Sequence, residues 1–332
     1  MDKRYYDYIT ITPPIFFKFK MNRIVLIFSA LALFAACEKY EDDIVTDGGL
    51  HAVTLPDVIC ASMSGDDMDP KTRTWLGGEE GKDVLWHGDD EISYFTGNIH
   101  ANYVSQGAGN SSVEFIKGDK EQAAVEFAVD GTVAIYPYDS YNDPRIVEGK
   151  NVIYTMFPSI QTYASDSFGK GANVMVAKSE TAGADNLYFR NACGYLVIKL
   201  YGADTAVKSI VLSSRSGLEK ISGSAYVSVD HAKDPEVTMT SFATTTITLD
   251  CSNGGEGVQL GVDKEHATEF WFALPPVRFE EGLTIVVTDM RDRSYVKSTA
   301  KPVTVTRNNV QPMAAQEFEQ NGYASTDNNK IW

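Results

Sequence analysis

The residues that usually carry out catalysis are spread along this 332-residue chain without a catalytic or metal-binding spacing. Ser167 and Lys170 fit S-x-x-K, but the S-D-N and K-T-G motifs that accompany it in penicillin-interacting enzymes are absent. Lys82 is followed by Asp83, not by the hydroxyl residue of a phosphate-binding loop. The histidines stand too far apart to predict a zinc site: His51, His87, His100, His231 and His266. We therefore expect no enzyme, no metal and no cofactor.

Cys37 offers a different chemistry, because its thiol follows a short apolar run and a pair of alanines. Arg23 precedes that run, residues 24–34, which is about half the roughly twenty residues that a membrane-spanning helix needs. This plan is typical of a signal peptide with a bacterial lipobox, although Phe34 stands where leucine is usual. We predict that Cys37 is acylated. A plain secretory signal with an incidental cysteine is the alternative.

The N-terminal region divides into a signal peptide, residues 1–36, and an acidic tether, residues 37–50. Met21 is the expected true start, because residues 1–20 fit no signal-peptide plan. Residues 38–43 (EKYEDD) resemble the surface-export signal of lipoproteins in the Bacteroidetes, and a solvated tether explains the same composition. Both interpretations stay open.

The chain is strongly acidic, with a formal net charge of −16. Loss of residues 1–36 removes five basic and two acidic residues, which moves the charge to about −19. Nucleic acid is excluded as a partner, because phosphate binding needs clustered lysine and arginine. Beyond Cys37, the cysteines Cys60, Cys193 and Cys251 show no metal or redox spacing. A Cys193–Cys251 disulfide is open, and buried thiols are favoured.

Apolar residues alternate with polar ones almost throughout, which predicts short strands with one buried side. Examples are Ile92/Tyr94, Val113/Phe115, Val133/Ile135, Leu196/Ile198/Leu200, Ile285/Val287 and Val303/Val305. Glycine-rich turns separate these segments, so we predict an all-β fold with one short helix near residues 120–127. A polar stretch at residues 165–185 predicts two β-sandwich domains, residues 51–185 and 186–318. Residues 319–332 form a tail or the start of a truncated further module.

Several motifs occur in the order that is found in one known family. They are Thr72-Arg73-Thr74, Val84-Leu85-Trp86 with Gly88-Asp89, Tyr136-Pro137-Tyr138, Phe157-Pro158, Asn191-Ala192-Cys193-Gly194-Tyr195, Phe272-Ala273-Leu274-Pro275 and Val303-Thr304-Val305. Over about residues 50–315 the chain resembles the fimbrillin family of the Bacteroidetes. The resemblance implies two transthyretin-like β-sandwich domains, a lipoprotein at the outer membrane and cell surface, and a place in or beside a fimbria.

The resemblance also implies assembly by strand exchange, in which a protease cuts after an arginine and removes the first strand. Arg73 is the candidate cleavage site, and a surface-facing strand residue is the alternative. Residues 51–63 are the candidate first strand, in which Val53, Leu55, Val58 and Cys60 form a strand that is broken around Pro56. A strand from another pilin subunit would refill the exposed edge. Residues 302–313 are a candidate donor, although we favour them as the last strand of their own domain.

Trp271 is a candidate interface or sugar-binding aromatic. It lies between Phe270 and Phe272, and alternation in a strand places it on the opposite face from both. Its ring then either meets a ligand or is covered by neighbouring chain, and we favour the covered arrangement.

Two function classes remain from the sequence. The first is a structural or accessory pilus subunit that polymerises by strand exchange, held through a lipid anchor. The second is a monomeric surface adhesin that binds a host glycan or protein. Release of the segment up to Arg73 by an arginine-specific protease separates the two classes.

Overall fold

The computed structural model describes residues 54–63, 76–77, 83–299, 301–318 and 330–331, and its regular structure is almost entirely β-strand. The all-β prediction is confirmed. The short helix predicted near residues 120–127 is wrong, because a strand occupies Ala123–Tyr136. Within the described ranges, the helical element is one 3-10 turn at Asn253–Gly255, and no helix there has the length and apolar character to cross a bilayer.

The described strands are numbered here in chain order. They are β1 Val58–Met63, β2 Leu76–Gly77, β3 Asp83–Val84, β4 Glu91–Ser105, β5 Ser112–Lys117, β6 Ala123–Tyr136, β7 Asp143–Val147, β8 Lys150–Phe157, β9 Ile160–Ala164, β10 Ser167–Phe168, β11 Met175–Ser179, β12 Asn186–Asn191, β13 Gly194–Tyr201, β14 Ala206–Ser214, β15 Gly223–Ser228, β16 Val237–Met239, β17 Thr246–Asp250, β18 Val258–Gln259, β19 Thr268–Leu274, β20 Val277–Phe279, β21 Leu283–Asp289, β22 Ser294–Ser298, β23 Val303–Val305, β24 Val310–Pro312, β25 Gln316–Glu317 and β26 Lys330–Ile331.

The first sheet closes on itself as a barrel in the order β1-β12-β11-β6-β4-β5. The strand β1 completes the ring, since it pairs antiparallel with β5 and parallel with β12. Successive side chains of a strand point to opposite faces, so every second residue faces the interior. The interior includes Trp86, Ile92, Tyr94, Tyr103, Val113, Phe115, Tyr136 and Phe189.

A second core lies between two further sheets. One has the order β10-β9-β17-β14-β21-β22-β26, with β18 beside β14, and the other has the order β19-β13-β24, with β25 also on β13. Their facing residues include Leu196, Ile198, Leu200, Ile210, Leu212, Ile285 and Val287, which are fully buried. The predicted apolar sides of these strands are therefore the sides that build this core.

A third core joins the barrel to the strands that follow it. The sheet β16-β15-β8-β7 contributes Ile153, Ala225 and Val227, the outside of the barrel contributes Phe95, Val133 and Ile135, and the second face of β13 and β19 contributes Tyr195, Val197 and Trp271. As a result β13 is buried on both faces, where the sequence pattern predicted one buried side.

Strand pairing crosses the predicted boundary between residues 185 and 186. β12 follows the boundary but pairs with β11 and β1 of the barrel. In the other direction, β8 pairs with β15 and β9 pairs with β17, so residues before the boundary complete sheets formed after it. Two separate tandem domains are not confirmed.

Candidate functional site

The strand β1 closes the barrel and is the first strand that the structure describes. It pairs with β5 from Val58↔Ile116 to Ser62↔Ser112 and with β12 from Cys60↔Asn186 to Met63↔Phe189. Both neighbours are far away in sequence. Removal of β1 would therefore uncover two hydrogen-bonding edges, one on β5 and one on β12.

The inward face of β1 consists of Ile59, Ala61 and Met63, whose exposed fractions are 1%, 0% and 6%. Val58 and Cys60, two of the apolar residues of the candidate first strand, lie on the opposite face. Val58 is 45% exposed, and Cys60 is half-buried on the outer face. In the sequence VICASM, apolar residues occur among both the odd-numbered and the even-numbered positions. Pairing with β5 and β12 therefore decides which set faces the core.

Hydrogen bonds fix both ends of β1. The amide of Met63 donates to the carbonyl of Ser111 over 3.0 Å, and the amide of Lys117 donates to the carbonyl of Asp57 over 3.0 Å. The hydroxyl of Tyr103 donates to the carbonyl of Pro56 over 2.5 Å, which holds the segment before the strand. Burial raises the pKa of Tyr103, so this hydroxyl stays a donor at any ordinary pH.

The barrel interior next to β1 is built from aromatic rings on other strands. Trp86 packs edge-on against Phe115, Tyr136 and Phe189, with ring centroids 5.0, 5.6 and 5.3 Å away. Such T-shaped contacts stabilise a fixed arrangement of rings. Because none of these rings belongs to β1, most of the interior does not depend on the closing strand.

A buried carboxylate fixes the loop that carries Trp86. Asp90 is fully buried and accepts hydrogen bonds from the amide of His87 at 2.7 Å and from the hydroxyl of Tyr136 at 2.9 Å. Burial raises the pKa of Asp90, and burial together with the nearby Asp90 raises that of Tyr136. This arrangement ties two of the motifs, Trp86 with Gly88-Asp89 and Tyr136-Pro137-Tyr138, to one structural role.

The outer face of β1 carries small polar groups. The hydroxyl oxygens of Ser62 and Ser112 lie 2.7 Å apart, and the sulfur of Cys60 lies 3.4 Å from the Ser112 hydroxyl oxygen. These cross-strand contacts are at the surface, so they add little core stabilisation. The strand is therefore held by one apolar face and by its two backbone ladders.

The predicted lipidation and cleavage residues, Cys37 and Arg73, lie outside the described residues. Trp271 is 8% exposed and packs in the third core, where its indole nitrogen donates to the Glu269 carboxylate over 3.1 Å. The side chain of Trp271 is therefore largely covered by neighbouring residues.

The candidate donor, residues 302–313, is occupied within its own chain. β23 pairs with β20, β24 pairs with β13, and Val303 and Val305 pack in the second core. The connection between these strands crosses Gly194, where a Cβ atom would come within 2.3 Å of the Thr306 carbonyl oxygen. This agrees with the favoured prediction that the segment is the last strand of its own fold.

The buried cysteines are thiols. Cys193 and Cys251 lie in different cores and do not form the disulfide that the sequence left open. Burial raises the pKa of each thiol to about 12, so neither is a reactive thiolate. Across the described ranges, the structure has no group of three or more histidine, cysteine or acidic side chains that could hold a metal ion.

Solved structures that resemble the chain are cell adhesion and fimbrial proteins of Bacteroides and Porphyromonas. A proposed cell adhesion protein of Bacteroides ovatus is 12% identical, with 80% of this chain and 92% of that chain covered and a TM-score of 0.46. A proposed cell adhesion protein of Bacteroides uniformis is 15% identical, with 80% and 94% covered and a TM-score of 0.42. The tip fimbrial protein Mfa3 of Porphyromonas gingivalis is 11% identical, with 80% and 96% covered and a TM-score of 0.28.

No family model matches the chain, and no curated protein matches it. Each structural likeness is weak.

Proposed function

We propose that the chain is a cell-surface lipoprotein that acts as a structural or accessory subunit of a type V, fimbrillin pilus. In this proposal Cys37 is acylated and holds the mature chain to the outer membrane. Cleavage after Arg73 releases β1, and a strand of another subunit takes its place. The observation that carries the proposal is the position of β1 as the closing strand of the barrel.

The order of segments along the chain favours this assembly route. Cys37 precedes β1, and Arg73 follows it, so one cut after Arg73 separates both the anchor and the closing strand from the rest of the chain. Without the cut, the chain stays tethered as an anchor or accessory subunit. The same bond would thus decide between attachment and polymerisation.

The apolar face of β1 indicates how much free energy a replacing strand gains by burying its side chains in the barrel. Burial of a large aliphatic side chain is worth about 1.5–3 kcal/mol, so Ile59 and Met63 together contribute about 5 kcal/mol before ordering costs. Ala61 adds less. The two backbone ladders must supply the rest of the association energy.

The strand that replaces β1 belongs to a neighbouring subunit. Residues 302–313 are held inside their own chain, so a donor must come from another segment or another pilin. Its inward positions must match a large, a small and a large side chain, because Ile59, Ala61 and Met63 fill the interior in that order.

The monomeric adhesin stays the alternative function. It requires neither cleavage nor strand replacement, and it predicts that the uncut chain is the working form. A protease experiment on the purified mature chain separates the two functions. We expect an arginine-specific protease to release the segment that ends at Arg73 and to produce ladders that resist denaturing detergent. Arg73→Lys keeps the positive charge and serves as the matched control, which should stay uncut and monomeric.

A disulfide lock tests strand release itself. The bonds from Met63 to Ser111 and from Lys117 to Asp57 make Cys60↔Glu114 a non-hydrogen-bonded pair, for which the Cα atoms lie about 4.5 Å apart. A disulfide fits that distance. In Glu114→Cys, oxidation should therefore hold β1 in place after cleavage and prevent ladders, and reduction should restore them.

The double variant Cys60→Ser with Glu114→Cys has no partner thiol at this pair and should form ladders in either redox condition. Ladders from the oxidised, cleaved Glu114→Cys protein at the rate of the reduced protein would overturn strand replacement.

A further inference from the structure

The sheet β16-β15-β8-β7 has one face in the third core and one face in solvent. Ile153 of β8 and Ala225 and Val227 of β15 are fully buried on the inner face. Strand alternation places Tyr154 and Tyr226 on the opposite face. Both rings are half-buried, as expected for aromatic side chains that lie against a sheet and keep part of their surface in water.

Strand register places these tyrosines in one row. Asp143 pairs with Tyr154, Tyr154 pairs with Tyr226, and Tyr226 pairs with Thr238, so the row crosses all four strands. With strands about 4.8 Å apart, the row is about 14 Å long. We call the outer faces of Asp143, Tyr154, Tyr226 and Thr238, together with Arg145, the tyrosine platform.

The two rings form the centre of the tyrosine platform. Their centroids lie 5.8 Å apart and their planes are inclined by 59°, which makes a shallow V on the sheet surface. Asp143 lies at one end of the row and Thr238 at the other. The centre is therefore aromatic, and both ends carry hydrogen-bonding groups.

Arg145 completes one end of the platform. Its guanidinium lies over the ring of Tyr154, 4.9 Å from the centroid, and its Nε donates to a carboxylate oxygen of Asp143 over 2.9 Å. The side chains of Arg145 and Asp143 are 40% and 28% exposed, so both also face solvent. This fixed pair offers donors and acceptors at one edge of the rings, and it carries no net charge.

The charges on the platform favour a neutral partner. The platform itself is balanced, while the chain as a whole has a formal charge of −16, which repels acidic polymers at long range. A row about 14 Å long and one or two side chains wide covers on the order of 150 Å². That is far below the ~800 Å² that each partner buries in a stable protein complex.

A neutral oligosaccharide has the complementary chemistry. The C–H face of a pyranose ring packs on an aromatic ring, and its hydroxyl groups bond to polar side chains at the ring edge. Tyrosine combines a large apolar ring with a polar tip, which suits such amphipathic partners. We propose that the tyrosine platform is a binding site for a neutral oligosaccharide, with Tyr226 as the stacking ring and the Arg145–Asp143 pair bonding to hydroxyl groups. The proposal is independent of strand exchange, because no platform residue belongs to β1.

Titration of the uncut mature chain with neutral trisaccharides tests the site. The probes are cellotriose, maltotriose and triacetylchitotriose, with binding followed by saturation-transfer NMR and calorimetry. We expect at least one probe to bind, with affinity reduced about tenfold or more in Tyr226→Ala. Tyr226→Phe keeps the ring and should stay within about threefold of the parent chain.

Tyr188→Ala is the matched control, because Tyr188 on β12 is 63% exposed and lies outside the platform. It should bind the same probe as the parent chain does. Absence of binding by all three trisaccharides would overturn the proposal, and so would equal affinity in Tyr226→Ala and the parent chain. Circular dichroism of each variant must match the parent, which separates loss of the site from loss of the fold.

Discussion

The strands β1 and β13 both have partners on two sides, yet the structure holds them differently. β13 pairs with β19 at seven positions and with β24 at three, and its two faces enter two different cores. β1 pairs with β5 at five positions and with β12 at four, but only its inner face is apolar and buried. Backbone pairing is therefore similar, and side-chain burial separates the two strands.

Under the proposed strand exchange, this difference favours β1 as the strand that is replaced. Loss of β13 would expose Leu196, Ile198 and Leu200 on one side and Val197 on the other, so both cores would open. Loss of β1 would expose one groove, whose floor of rings around Trp86 is held by other strands. A strand can be replaced only if the groove that receives the new strand stays folded. Without β1, most of the residues that form this groove keep their contacts.

The same isoleucine-to-alanine change in the two strands should give the largest contrast. Ile59 and Ile198 are 1% and 0% exposed, and such a truncation in a core costs about 2–5 kcal/mol. In Ile198→Ala we expect the free energy of unfolding to fall by that amount, with faster amide exchange throughout both cores that flank β13. In Ile59→Ala we expect faster exchange only in β1 and on the facing edges of β5 and β12.

Urea unfolding and amide hydrogen exchange measure the two effects. The comparison fails if Ile59→Ala accelerates exchange in β13 and β21 as strongly as Ile198→Ala does, because β1 would then be part of one cooperative unit with the second core.

Much of the fold could be predicted from alternation alone. The pairs Val113/Phe115 and Ile285/Val287 face cores as predicted. In a strand with one solvent-exposed side, apolar and polar residues alternate, so the sequence shows which residues are buried. β13 reads Gly-Tyr-Leu-Val-Ile-Lys-Leu-Tyr, an almost continuous apolar run, which is the pattern of a strand covered on both faces. Its alternate residues taken alone predict one buried side, whereas two cores meet at this strand.

The candidate site was harder to predict, because its geometry depends on distant partners. Apolar residues occupy both phases of β1, and only the pairing with β5 and β12 selects Ile59, Ala61 and Met63. Tyr154 and Tyr226 are 72 positions apart in sequence, so no local pattern brings them together. Alternation does place each on the face opposite buried neighbours, but the β8–β15 register that aligns them is a property of the folded chain.

Acid should destabilise the protein through one buried histidine on a barrel strand. His100 on β4 is 5% exposed, stacks on Phe95 with centroids 4.4 Å apart, and has no hydrogen-bond partner for its Nε2 among the described residues. Burial lowers the pKa of His100 to about 4, and the nearby carboxylates of Asp139 and Asp143 oppose that shift only in part.

The unfolded chain therefore binds more protons than the folded chain between pH 6.5 and pH 4. The stabilisation from neutral His100 is complete above pH 6.5 and is lost as the pH falls towards 4, by ~3 kcal/mol at most. His100→Gln should make urea midpoints at pH 7.5 and pH 4.5 differ less than in the parent chain. His231→Gln changes an exposed histidine and should keep the parent pH dependence. If the midpoints of His100→Gln differ as much as those of the parent chain, other groups cause the acid sensitivity.

The smallest expected effect concerns the outer face of β1, and it tests whether that face contributes to stability. Cys60→Ser should change the free energy of unfolding by no more than about 0.5 kcal/mol, because the side chain is half-buried and its hydroxyl can bond to Ser112. The same change at Cys193, which is fully buried and accepts a hydrogen bond from the Val174 amide at 3.2 Å, should cost about 1–3 kcal/mol. Urea unfolding of the two variants measures the difference. Equal losses would mean that both faces of β1 hold it in the barrel, and a strand bound on both faces would exchange far less readily.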